Sequence, residues 1–146
     1  MLNRFNTVSI LDTIEMIEKY RLDIRTVTMG MSLLGCTRPT MEATAEAVYD
    51  RVTTRASQLV EVCEGIEAEL GIPIVNKRIS ITPVSLIVAG VDGNPVDVAR
   101  ALDRAATETG VDFVGGYSAL VEKGATTAEK ALIRSIPEAL AETNLV

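Results

Sequence analysis

One arginine in an alternating run defines the chemistry open to this sequence. In Ile74-Val-Asn-Lys-Arg-Ile-Ser-Ile-Thr82, Arg78 shares one side of a period-two pattern with Asn76, Ser80 and Thr82. Val75, Lys77, Ile79 and Ile81 take the other side. A guanidinium set among hydroxyls and an amide is a donor array for a carboxylate or phosphate. It could equally close an internal ion pair, with Asp112 as the available acid, because an arginine on a covered strand face needs a partner or a wet cavity. An upstream run adds to the polar set: Thr26, Thr28, Gly30 and Ser32 alternate with Val27, Met29, Met31 and Leu33. Thr28 and Ser32 therefore join Arg78, Asn76 and Ser80 as candidate ligand-binding residues.

Cys36 completes the candidate set. It follows the first alternating run and precedes a helical pattern, and a helix N-terminus lowers a thiol's pKa. The alternative is a small buried residue. Cys63 falls on an apolar helical stripe and reads as core. With no histidine in the chain, Ser-His and Cys-His nucleophile pairs and histidine-containing zinc sites are excluded within it. Two distant cysteines are too few for an all-cysteine zinc site, so no metal ligands are assigned. Gly90-Val-Asp-Gly93 fits neither a dinucleotide fingerprint nor a phosphate loop. No residue pattern specifies a cofactor.

Bulk composition narrows the partners. The chain has 146 residues, 47% of them hydrophobic, and a net charge of −6. That is enough for one domain with a core over residues 1–146. With an acidic balance and no tryptophan, nucleic-acid binding is not expected. The longest apolar run, near Val84–Val91, is about half of the ~20 residues a membrane span requires. Asp12, Glu15 and Glu18 interrupt any signal-peptide core. With only two cysteines, a reducing cytoplasm is the expected compartment.

The elements that must position these residues alternate. Ser9 with Asp12 resembles a capping box for a first helix ending near Tyr20. Asp23–Leu34 reads as a strand. After Gly35–Pro39, with Pro39 in the first helical turn, apolar residues from Met41 to Leu70 recur by threes and fours, which predicts one helix about 45 Å long. Gly71 and Pro73 stop it, and Ile74–Thr82 is the second strand. Pro83–Val91 is either a short buried helix or an extended run. Asn94 caps a further helix ended by Gly110, and Val111–Ser118 is the third strand. Thr126 with Glu129 makes another capping box, and Pro137 with the Ser135–Glu138 cap signal splits the last helical pattern in two.

Strands separated by helices imply a parallel sheet in an α/β fold. Parallel strands covered on both faces read as continuous hydrophobic runs; these have one apolar and one small-polar face. That suits a barrel with helices outside and a polar interior. Three strands cannot close one, so the chain reads as a fragment, with a further strand expected near Asn144–Val146.

Three stretches carry a resemblance: Asp23-Ile-Arg-Thr-Val-Thr-Met-Gly-Met-Ser-Leu-Leu-Gly-Cys36, Leu70-Gly-Ile-Pro-Ile-Val-Asn-Lys-Arg78 and Val111-Asp-Phe-Val-Gly-Gly-Tyr-Ser-Ala-Leu120. Together they resemble the N-terminal third of an uncharacterised bacterial and archaeal family, the "PFL family", labelled for its similarity to the pyruvate formate-lyase barrel. The resemblance implies a ten-stranded α/β barrel and a homodimer, and it brings no catalytic residues. Val114-Gly115-Gly116-Tyr117 is similar to the core of glycyl-radical loops, but Phe113 stands where those loops have arginine and no cysteine pair adjoins. A glycine bulge or close backbone approach is the simpler reading.

The leading functional expectation is a segment of a barrel enzyme, or enzyme-like protein, acting on a small anionic metabolite. The alternative is a non-catalytic metabolite-binding or regulatory protein on the same scaffold.

Overall fold

A computed structural model describes residues 7–20 and 23–146. Three parallel strands, β1 (Val27–Met31), β2 (Lys77–Ile81) and β3 (Phe113–Gly115), form one sheet in chain order. Both expected long strands are present in two pieces. A parallel bridge between Ile24 and Ile74 precedes the main β1–β2 ladder.

The α/β alternation follows the sequence closely. α1 (Thr7–Glu18) starts before Ser9, and its Ile10 and Ile14 are exposed rather than packed. α2 (Met41–Ala56) begins one residue after Thr40, whose hydroxyl accepts the Ala43 N–H at 3.2 Å, so Pro39 lies outside the helix. α3 (Leu59–Leu70) is separate: the single long helix is broken at Ser57-Gln58. The hydroxyl of Thr53 donates to the Tyr49 carbonyl and that of Ser57 to the Thr54 carbonyl. Such back-bonding competes with the main-chain ladder and bends helices. Apolar spacing continues across the break, which is why periodicity alone joined the two.

α4 (Val84–Ile87) resolves the ambiguous run as a short buried helix. α5 (Val96–Thr109) begins where the Asn94 side chain accepts the Val96 N–H at 3.1 Å, and it ends at Gly110 with φ 72°. α6 (Thr127–Glu142) opens on the expected capping box. Glu129 accepts from the Thr126 N–H at 2.7 Å and Thr126 hydroxyl at 2.8 Å, and these bonds hold its carboxyl below the usual range.

The expected split at Pro137 does not occur. α6 runs through the proline because its buried face, Glu129, Leu132, Ser135 and Ala139, continues unbroken across it. Pro137 points outward, and the Ile133 carbonyl that loses its main-chain donor belongs to an exposed residue. Ser135 does not act as a cap; its hydroxyl donates to the Leu132 carbonyl at 2.7 Å.

The helices bury one face of the sheet. Leu33, Ile79, Ile81 and Val114 pack with Val48, Val52 and Ala56 of α2, Val98, Leu102 and Ala105 of α5, and Leu132 of α6. Lys77 also turns to this side, where its ammonium reaches Glu67 at 3.3 Å and the Ile74 carbonyl at 3.0 Å. On the other face Thr28, Gly30, Ser80 and Phe113 are exposed. The period-two polarity of the strands therefore reports a sheet covered on one side. No helix among the described residues is long and apolar enough to cross a membrane.

Candidate anion-binding face

Strand register assembles the open face. Thr28 aligns with Arg78 and Arg78 with Phe113; Gly30 aligns with Ser80 and Ser80 with Gly115. Alternation places these residues in two rows on the uncovered side. The first row is Thr28, Arg78 and Phe113, and the second is Gly30, Ser80 and Gly115. The second row is nearly bare backbone: a side chain begun at Gly30 would meet nothing within 4 Å. A flat floor thus lies beside a wall formed by an arginine and an aromatic ring.

Arg78 has no acidic partner among the described residues. Its guanidinium carbon lies 5.8 Å from the Phe113 ring centroid, a cation–π contact, and its buried Nε has no hydrogen-bond partner. The ion pair with Asp112 is absent for a reason of register. Phe113 is the residue aligned with Arg78, and Asp112, one position earlier, engages the Lys77 backbone instead: its N–H donates to the Lys77 carbonyl at 2.9 Å and its carboxylate accepts the Lys77 N–H at 2.7 Å. One residue of offset puts a side chain on the other face.

The remaining candidates divide. Thr28 and Ser80 flank Arg78 on the open face. Asn76 donates its amide to the Arg25 carbonyl at 3.0 Å, tying down the strand entry. The Thr82 hydroxyl accepts the Leu33 N–H at 3.1 Å and closes the strand ends. Ser32 borders a separate recess at the outer edge of β1.

Of the two readings of Cys36, the structure supports the small buried residue over the rim thiol. It is 1% exposed within the helix-side core, and burial pushes its pKa up, outweighing the opposite pull of Arg51 and Arg38. The chain after β1 forms a 3₁₀ turn, Leu34–Cys36, that folds the thiol inward. Cys63 is also buried, as its place on the stripe implied. In native buffer, a thiol reagent is therefore expected to label neither cysteine rapidly, and both on unfolding. Immediate release of one equivalent would show that Cys36 is accessible after all.

The glycines after β3 have a packing role. Gly116 adopts φ 134°, and its missing side chain leaves room for Ile81. Tyr117 follows, its hydroxyl 2.7 Å from the Ser135 hydroxyl, linking the strand end to α6. Because Ser135 donates to the Leu132 carbonyl, the Tyr117 hydroxyl is the donor between them. Burial raises the Tyr117 pKa. Phe113 and the Gly30–Gly115 row were not marked by sequence reasoning as site residues, because only the strand register brings them beside Arg78.

Fold and face together define a one-sided parallel α/β sheet with an unpaired arginine on its uncovered surface. By family, the chain belongs to the group described as "Uncharacterised ACR (DUF711)", which matches residues 15–146. A UPF0210 protein of Corynebacterium glutamicum is 74% identical over 137 residues, covering 94% of this chain and 30% of the relative. UPF0210 proteins of Streptococcus uberis and Ligilactobacillus salivarius are 57% and 52% identical, covering 92% and 97% of the chain. The chain thus spans only 30–32% of the length of these relatives. Their names state no activity.

Proposed function

We propose that the open face of the sheet is one wall of the ligand-binding lumen of a larger α/β barrel, of which this chain is the N-terminal part, and that Arg78 binds the carboxylate of a small anionic metabolite there. The observation that carries the reading is the state of Arg78: backed by Phe113, without an acid, and facing a floor of glycine and serine. Thr28 and Ser80 supply hydroxyls on the same face. Two further features support the barrel. The Leu145 carbonyl accepts the Val114 N–H at 2.8 Å, so the chain already runs along the outer edge of β3. The outer edge of β1 is open, and unpaired edges favour association, in line with a homodimer. The free cysteines suit a cytoplasmic protein.

The two open-face rows contain no carboxylate and no thiol. This segment therefore supplies binding, and any catalytic acid, base or nucleophile comes from the rest of the longer protein. If none does, the protein is a metabolite-binding or regulatory barrel.

Thermal melts in a malonate series at fixed ionic strength test the site. At about a hundredfold excess over its dissociation constant, a bound anion stabilises by about 2.7 kcal/mol. Arg78→Leu is expected to abolish that gain while leaving the unliganded chain within about 1 kcal/mol, since no buried acid is stranded. An unliganded loss of roughly 3–5 kcal/mol with no malonate effect in either protein would make Arg78 a structural residue.

A further inference from the structure

We propose a second anion site, independent of Arg78, at the outer edge of β1, where Arg51 and Arg55 hold a phosphoryl group. A recess of about 270 Å³ is lined there by Met29, Gly30, Met31, Ser32, Arg51 and Arg55. The two arginines stand one turn apart on α2, and neither has an acid three or four positions away. Neither makes an ion pair among the described residues, whereas Arg100 is paired with Asp97, Glu138 and Glu142, and Arg104 with Glu46. Like charges one turn apart repel. A dianion between them removes that repulsion.

The strand edge supplies the opposite side of the site. Gly30 brings no side chain to block approach. Guanidiniums on the helix side and the Ser32 hydroxyl on the strand side offer donors from two directions. That arrangement fits a tetrahedral oxyanion better than a planar carboxylate, which one bidentate guanidinium satisfies. Arg51 is half-buried against the turn at Gly35, where an added side chain would begin 3.6 Å from its Nη2. Arg38 is committed elsewhere, donating to the carbonyls of Gly35 and Thr37.

Calorimetric titration with inorganic phosphate, and with acetate as the planar comparison, tests the site on the full chain at fixed ionic strength. Phosphate is expected to bind more tightly than acetate. The paired substitution Arg51→Gln with Arg55→Gln should weaken phosphate by about a hundredfold, roughly tenfold for each lost charged hydrogen bond. Arg78→Leu should leave phosphate binding unchanged. Melts without ligand report whether the paired variant is folded; Arg51→Lys with Arg55→Lys, which keeps the charge but loses the planar fork, should retain weakened phosphate binding. The proposal is overturned if the unsubstituted chain does not bind phosphate, if acetate binds the Arg78→Leu chain as tightly as phosphate does, if the glutamine pair binds phosphate undiminished, or if Arg78→Leu removes phosphate binding.

Discussion

Gly116→Ala is expected to destabilise the chain by about 2–6 kcal/mol, combining roughly 1–3 kcal/mol of backbone strain with roughly 1–3 kcal/mol of overpacking. At φ 134°, Gly116 occupies a region L side chains rarely enter, and its new Cβ would clash with Ile81 Cγ1 and lie 2.8 Å from the Ile81 carbonyl oxygen. The backbone has little freedom to withdraw. The Gly116 carbonyl accepts the Val84 N–H at 3.0 Å and the Ser118 N–H at 2.8 Å, so a shift would disturb the start of α4. Gly30→Ala is the matched comparison, since its side chain would enter open space. It should change stability by no more than about 0.5 kcal/mol. Urea denaturation with a common slope measures both. A loss below about 1 kcal/mol for Gly116→Ala would mean that the end of β3 relaxes freely.

This position shows what kind of information the sequence carries. The Val114–Tyr117 segment could be read as a strand end with a close glycine approach, because glycine at such a place has few other structural uses. That Ile81 is the group being approached depends on the pairing of β2 with β3, which no local pattern encodes. The same division runs through the fold. Local signals predicted the caps at Thr126–Glu129 and Asn94 and the stops at Gly71 and Gly110, because each acts within a few residues. The continuity through Pro137 went the other way, because packing across several turns overrode the local preference, whereas the break at Ser57-Gln58 follows side-chain back-bonding that apolar spacing does not register.

The site was legible in parity and not in register. Alternation placed Arg78 and Ser80 on one side of β2 and Thr28 on a matching side of β1. It could not say whether Asp112 or Phe113 would stand beside Arg78, and a single-residue offset decides between an ion pair and an aromatic wall. Cys36 left two readings open for a related reason. Its place after a strand is a local signal, but the inward fold of the Leu34–Cys36 turn depends on the side-chain packing of Leu33 and α2.

Ile79→Ala is expected to cost more than Phe113→Ala, although the alanine variant of Phe113 removes more atoms. Ile79 is 1% exposed on the helix side, in contact with the core built from α2, α5 and α6. A truncation there removes transfer energy and leaves a cavity, costing about 2–5 kcal/mol. Phe113 is 43% exposed on the other face. Its loss removes about half of a phenylalanine's burial, roughly 1 kcal/mol, together with the contact to the Arg78 guanidinium, worth about 0.5–1 kcal/mol at an exposed site. Measured at low protein concentration, Phe113→Ala should therefore cost no more than about 2 kcal/mol. Concentration makes the comparison a test of the open face itself. If a second copy covers that face, the Phe113 substitution will cost more as protein concentration rises, because association stabilises only the folded partner. A cost of several kcal/mol at every concentration would instead place Phe113 in a covered core and remove the one-sided sheet on which the binding face depends.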